Sequence, residues 1–464
     1  MRPVGSLPDM SPSDTEPERP VGDAFLVRGG ARLVGTVELS GAKNSVLKLM
    51  AASLLTEDEV LLSCVPAIAD VPVMAEVLSG LGVEVTLDVE AGTCRLRARQ
   101  VGATAPRDAV VRIRASIATL GPLVARQGRA RVALPGGDRI GVRSIDLHLS
   151  GLRAMGAEVA LDGDEVDVVA HRLHGARITL DFPSVGATEN LVMAATLADG
   201  VTVLDNAARE PEIADLCSML VAMGARIDGI GSPTLVVTGV ERLGGVRWET
   251  CPDRIEAGTY LIAAALTGGD VTVRRVRAAD LTVPLRKLRD VGAIVEELDD
   301  AVRVVGRPLS PVDVVTLPYP GFPTDLQPQM MVLMTQAQGV SRCTENVFES
   351  RFSFVEELRR MGADIDIEGH HATIAGPTAL SGATLAGLDV RAGAAGVLAG
   401  LVASGETLVR DAHHVDRGYA DLVPRLVALG AEVERVDAAR PDGAPGARGR
   451  AAGGRASGVR PATP

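Results

Sequence analysis

The sequence predicts an α/β protein built from six repeats of one helix–strand–helix–hairpin unit. Three observations carry this. First, a short pattern recurs as LSGLGVEV, LRAMGAEV, LVAMGARI, LRDVGAIV, LRRMGADI and LVALGAEV: an apolar helical run, a glycine, usually an alanine, then a strand-like run. Second, its glycines (Gly82, Gly156, Gly224, Gly292, Gly362 and Gly430) are spaced 74, 68, 68, 70 and 68 residues apart. Third, a run of small apolar residues lies upstream of each: LKLMAASLL, LGPLVAR, LVMAATLA, LIAAALT, MMVLMTQA and AGVLAGLVA. Open solenoids use shorter periods, about 20–50 residues, so closed groups are expected. The periodicity alone is compatible with one ring of six units or two groups of three.

The elements follow in order. The small-residue runs are apolar all round, which places their helices inside a core. A polar turn and a β-rich run come next, as in DGVTVLDNA, GGDVTVRRV and SGETLVRDA. A loop then leads into an amphipathic helix. In IADLCSMLVAM, the residues Ile213, Leu216, Leu220 and Met223 fall on one stripe. The marker glycine stops that helix in the left-handed conformation, and a hairpin such as AEVALDGDEVDVVA completes the unit. Six units fill residues 43–436, preceded by a short strand pair, FLVRGG with LVGTVELSG. Residues 1–22 and the Gly/Ala/Pro/Arg-rich stretch 438–464 read as disordered, because neither can bury a core.

Composition excludes several classes. The net charge is −12, and the aromatics are one Trp, three Tyr and six Phe, which argues against nucleic-acid binding. No apolar run is long enough to span a membrane. The five cysteines (64, 94, 217, 251 and 343) form no CxxC and read as reduced thiols of a cytoplasmic protein. Motifs for zinc proteases, P-loop enzymes and serine hydrolases are missing, and no metal or cofactor is expected.

Charge sits at matched places in the repeat. The starts of the small-residue helices carry Lys43, Arg114, Ser184, Arg254, Asp325 and Arg391. A cation there opposes the helix dipole, so its recurrence suggests an outside anion that uses both. The second loop of four units adds Arg143, Arg209, Arg351 and Arg417. Any one of these is ordinarily a solvated surface charge. The set predicts a locally positive cleft for a polyanionic small molecule. The glycine-flanked loop PGGDRIGVR reads as a lid, and Asp325 in PTDLQ also suits a helix N-cap.

Specific motifs lie in these segments: SGAKN at 40–44, RASI at 114–117, LGPLVAR at 120–126, LPGG at 134–137, SVGATEN at 184–190, NAAREPEI at 206–213, FPTD at 322–325, ENVFESRF at 345–352 and DRGY at 416–419. Together they resemble the UDP-N-acetylglucosamine enolpyruvyl transferases (1-carboxyvinyltransferases) within the wider EPSP synthase family. PGGD looks most like the actinobacterial branch. The resemblance covers residues 25–436 and implies the inside-out α/β barrel fold: two domains, each of three βαβαββ units. One domain would be 43–251, and the other 23–42 joined to 252–437. It implies transfer of enolpyruvyl from phosphoenolpyruvate to the 3′-hydroxyl of UDP-N-acetylglucosamine with release of phosphate, the first committed step of peptidoglycan precursor synthesis.

By the same resemblance, Lys43, Asn44, Arg143, Arg351, Arg391 and Arg417 would bind phosphoenolpyruvate. Arg114, Arg143, Ser144, Ile145, Asp146, Leu147, Ser184, Val185, Asp325 and Val347 would bind the nucleotide sugar. Asp325 would be the base, with Lys43 and Arg417 beside the reacting groups. Asp138 stands where most of the family has the proton-donating Cys, so it would be the acid, and the chain would resist the thiol-alkylating epoxide fosfomycin. Glu210 and Glu212 would be structural. Two alternatives are a 3-phosphoshikimate 1-carboxyvinyltransferase and a non-catalytic regulatory paralogue that binds UDP-sugar. AKNSVLKL, SVGATEN and NAAREPEI favour the nucleotide sugar over the first. Retention of Lys43, Asp138, Asp325 and Arg417 together speaks against the second.

Overall fold

The computed structural model describes residues 23–138, 140–141 and 143–437. The expected disorder at 1–22 and 438–464 lies outside the described residues. Among the described residues there are six small sheets, five of four strands and one of three. Each wraps one small-residue helix: α1 (Lys43–Ala52), α2 (Leu120–Gln127), α3 (Val185–Ala195), α4 (Arg254–Leu266), α5 (Gln327–Met334) and α6 (Val390–Val402). These helices are buried on nearly every side. All of α4 and α5, and all of α6 but Val402, are buried. That follows from their composition, since a helix without a polar face is stable only when surrounded. The sheets lie outside and alternate buried with more exposed residues, as a sheet with one wet face must.

All six marker glycines have the expected left-handed φ, between +92° and +108°. The stripe on the helix Pro211–Ala222 faces inward, with Ile213, Leu216 and Leu220 at most 1% exposed.

The side chains form two separate apolar cores. One runs from Val46 to Leu243 and includes Ala420; the other joins Phe25–Leu39 to Ile255–Val433. The protein is therefore a two-domain α/β structure, with three sheets and three core helices on each side.

One expectation fails. FLVRGG and LVGTVELSG do not pair with each other. Asp23–Arg28 inserts between Glu406–Arg410 and Glu432–Asp437, antiparallel to both. Val34–Glu38 instead runs parallel to Asp270–Arg274 in another sheet. Each strand replaces a missing piece of a repeat: a hairpin strand in the last unit and the leading parallel strand in the fourth. Val246–Glu249 does the same for the first unit, lying parallel to Val60–Ser63. The connections run side by side, with Gly41 bridged to Pro252 and the Ala42 N–H donating to the Cys251 carbonyl at 2.7 Å. Gly41 is required there, because a Cβ would lie 2.0 Å from the Cys64 carbonyl oxygen.

Candidate active site

The two cores face each other across a cleft of about 500 Å³. The cleft receives the starts of the core helices, because the repeat places each helix N-terminus at the same end of its unit. Lys43 opens α1, Ser184 caps α3, Arg254 opens α4 and Arg391 is the second residue of α6. Arg114 and Asp325 lie in the 3₁₀ turns Arg114–Thr119 and Thr324–Leu326, which lead into α2 and α5.

Among the described residues, eight Lys/Arg and seven Asp/Glu side chains line the cleft, so their charges are nearly balanced. The helix-start cations do not wait for an outside anion alone. Lys43 Nζ is 2.9 Å from Asp70, Arg254 Nε is 3.1 Å from Glu212, and Arg391 Nη2 is 3.2 Å from Asp325. The helix dipoles are answered separately. Asp253 caps α4 through the Ile255 and Glu256 amides, and Asp389 caps α6 through those of Arg391 and Ala392. Asp253 also accepts from the Lys43 N–H at 3.0 Å, which ties the start of α1 to that of α4.

Asp325 is not an N-cap. Its carboxylate takes Arg351 Nη2 at 2.8 Å on one oxygen and Arg391 Nη2 at 3.2 Å on the other. Both arginine side chains are at most 5% exposed. Burial pushes the Asp325 carboxyl up, but Arg391, Arg351 and Arg254 outweigh it and hold the group well below the usual carboxylate range. Arg391 also lies over the Tyr419 ring at 5.2 Å, which fixes its guanidinium plane.

Opposite this cluster runs a chain of alternating charge: Lys43–Asp70–Arg417–Asp138. Arg417 donates through Nε to Asp70 at 2.9 Å and through Nη1 to Asp138 at 2.5 Å. Arg143 Nη2 reaches the Asp138 carbonyl at 3.2 Å. Burial pushes the Lys43 ammonium down, and Asp70 opposes that most strongly. The glycine-rich loop meets the second domain where the Ser350 N–H donates to the Ile140 carbonyl at 3.2 Å.

The remaining side chains named from the sequence divide clearly. Asn44, Ser144, Asp146, Leu147, Val185 and Val347 line the cleft. Ile145 does not: it is 8% exposed and belongs to the first apolar core. Arg209 does not reach the cleft either; its Nη2 donates to the Tyr319 carbonyl at 3.4 Å. Arg114 donates to the Arg143 carbonyl, and burial, then Arg143, pushes its guanidinium down to about 10. Ser184 is engaged as a cap, accepting from the Ala187 N–H at 3.3 Å. Glu212 binds Arg254, and Glu210 accepts from the Tyr319 N–H at 3.3 Å, so both join the two domains.

Sequence reasoning missed Asp70. Its signal was positional: it precedes Gly82 by 12 residues, close to where Arg351 and Arg417 precede their own marker glycines (by 11 and 13), and a search for cations passed over a carboxylate. It also missed Lys48, whose Nζ is 3.5 Å from buried Glu189. His148, likewise missed, shares a hydrogen bond with Asn190 at 2.9 Å and is pushed down to about 4 by burial and Arg114.

Two domains of this construction, with paired carboxylates and arginines in the cleft between them, define an enolpyruvyl-transferase architecture. Among solved structures, the enolpyruvyl transferase NikO from Streptomyces tendae matches with a TM-score of 0.81 at 28% identity, covering 89% of this chain and 99% of that one. EPSP synthase from Acinetobacter baumannii shares the fold at a TM-score of 0.70 and 17% identity, with the same coverage. The profile of the family described as EPSP synthase (3-phosphoshikimate 1-carboxyvinyltransferase) matches residues 27–426, and the chain belongs to that family. A curated relative from Corynebacterium jeikeium, named UDP-N-acetylglucosamine 1-carboxyvinyltransferase, is 54% identical over 417 residues, 89% of this chain and 99% of its own length. One of the same name from Magnetococcus marinus is 50% identical with the same coverage.

Proposed function

We propose that this protein transfers the enolpyruvyl group of phosphoenolpyruvate to the 3′-hydroxyl of UDP-N-acetylglucosamine and releases inorganic phosphate. The names of its 50–54% identical relatives support that substrate pair over shikimate 3-phosphate. One observation carries the residue assignment. Two carboxylates, Asp325 and Asp138, face one cleft, each held by arginines suited to an anionic substrate.

The geometry suits addition followed by elimination. Asp325 accepts the hydroxyl proton as the sugar oxygen attacks C2 of phosphoenolpyruvate, and Asp138 delivers a proton to C3. The Asp138 carboxylate then takes a proton back from C3, the C2–O bond to phosphate breaks, the Asp325 proton leaves with the phosphate, and the double bond re-forms. Arg351 and Arg391 make Asp325 a weak base while they hold it. The substrate carboxylate competes for these guanidiniums, and as it draws them away the basicity of Asp325 rises. Lys43, Arg143 and Arg417 stabilise the leaving phosphate, Lys43 as a point charge and the arginines as forks. Asn44 lies beside Lys43 at the same end of the cleft.

We place the domain crossings at 42/43 and 251/252, where Asp253 grips the Lys43 amide, and the nucleotide sugar along Arg114, Arg143, Ser144, Asp146, Leu147, Ser184, Val185 and Val347. Among the described residues no helix is long and apolar enough to cross a membrane. The cytoplasm, where both substrates occur, is the proposed location, and small molecules are the proposed partners. Phosphate release measured with Asp325→Asn and Asp138→Asn tests the assignment. Both should lose turnover while still binding the nucleotide sugar.

A further inference from the structure

Asp70 touches two groups assigned to phosphoenolpyruvate and has no role of its own in the reaction above. It opens the helix Asp70–Gly80 and is 4% exposed. An acid at that position ordinarily serves the helix dipole or caps its first amides. Asp70 instead turns both oxygens into the cleft, Oδ2 to Lys43 Nζ and Oδ1 to Arg417 Nε, each at 2.9 Å. Lys43 opens α1 on the side of the first core, and Arg417 lies between the strands Glu406–Arg410 and Glu432–Asp437 on the side of the second. The backbone repeats the link beside it: the Ala69 N–H donates to the Asp416 carbonyl at 2.9 Å.

We propose that Asp70 is a positioning residue that joins Lys43 to Arg417 across the domain boundary, as one preformed pair of phosphate-binding cations, and keeps Lys43 charged. This rests on the reading that those two cations bind phosphoenolpyruvate. Two like charges converging in a poorly solvated cleft repel, and a shared carboxylate is the simplest way to hold them together. Among the described residues, the charged groups that act most strongly on Lys43 are Asp70, Arg417, Asp138 and Arg391. Burial, Arg417 and Arg391 drive its proton off; Asp70 and Asp138 keep it on, and Asp70 is the stronger of the two. Lys43 and Arg417 together outweigh burial at Asp70 and hold its carboxyl below the usual carboxylate range. A charge-assisted contact on Arg417 Nε leaves the guanidinium's Nη edge directed at Asp138 and the cleft.

The test is kcat/KM for phosphoenolpyruvate against pH at saturating UDP-N-acetylglucosamine, for wild type, Asp70→Asn and Asp70→Glu. Activity that needs a protonated Lys43 falls as pH rises through its pKa, so removing Asp70 moves the basic limb to lower pH. Asp70→Asn should shift that limb by about one pH unit or more and raise KM for phosphoenolpyruvate roughly tenfold, with little change in KM for the nucleotide sugar. Asp70→Glu should restore the limb. An Asp70→Asn enzyme that loses rate but keeps the wild-type limb overturns the proposal and leaves Asp70 a structural residue. Should Asp70→Asn not fold, Lys43→Arg carries the test: a guanidinium keeps its charge, so the basic limb should recede to higher pH, and a limb at the wild-type position overturns the proposal. Wild-type enzyme that releases no phosphate with the nucleotide sugar refutes the proposed function instead, a different result.

Discussion

The proposed division of chemistry between Asp325 and Asp138 follows from the company they keep. Asp325 holds two buried arginines, so Asp325→Asn should lose about 10²–10⁴ in kcat with nucleotide-sugar affinity kept within a few-fold. Loss of affinity without loss of kcat would remove it from the chemistry. Its folded-state pKa lies below the unfolded one, so its contribution to stability is present above about pH 4 and fades as pH falls through the folded value. Glu189 has the opposite sign. Burial raises it to about 7, so its charge burdens the fold above that pH and the burden lifts as pH falls toward 4.5. Glu189→Gln should therefore gain stability over wild type as pH rises from about 5 to about 8, by on the order of 1–3 kcal/mol; a urea-midpoint difference independent of pH would contradict this. At Asp138 a carboxylate replaces a thiol, and thiolates are far better nucleophiles toward an epoxide. Wild type should keep its activity through prolonged exposure to fosfomycin, and Asp138→Cys should lose it with time; time-dependent loss in wild type would contradict the assignment. Both aspartates were legible because motifs flank them. Asp70 was not: its meaning lies in two distant partners, Lys43 and Arg417, that only the fold brings together.

At the scale of the element, the repeat was readable because its punctuation is steric. A glycine at φ near +100° recurs wherever a helix must turn into a strand, and few other residues tolerate it. The six positions are not equally demanding. A Cβ on Gly82 would lie 2.6 Å from the Gln100 carbonyl oxygen, whereas one on Gly224 meets nothing within 4 Å. Gly224→Ala should cost about 1–2 kcal/mol of backbone strain alone, and Gly82→Ala at least about 1 kcal/mol more, since backbone must move. Equal unfolding free energies for the two variants would show that the carbonyl contact is relieved without cost. Strand partners were less legible than strands. FLVRGG and LVGTVELSG alternate like a hairpin, yet each completes a sheet more than 200 residues away, because the fourth and sixth units each lack one strand. Alternation reports which face is buried and says nothing about which edge is vacant.

At the scale of the molecule, the chain crosses twice between its cores and fastens them at several further points. Arg254 pairs with Glu212, Tyr319 meets both Arg209 and Glu210, Arg275 meets Glu249 at 2.9 Å, and Arg417 spans Asp70 and Asp138. The NAAREPEI segment, read from the sequence partly as a source of a ligand-binding arginine, acts as one of these fastenings. These fastenings hold Asp138, Arg417 and Lys43 together in the cleft that Asp325 also lines. The central claim is that this cleft joins phosphoenolpyruvate to a nucleotide sugar. The most direct measurement is inorganic phosphate released from phosphoenolpyruvate alone, with UDP-N-acetylglucosamine, and with shikimate 3-phosphate. Release that requires UDP-N-acetylglucosamine and disappears in Asp325→Asn is the expected result. Release with shikimate 3-phosphate instead, or with neither acceptor while the folded protein still binds the nucleotide sugar, would contradict it.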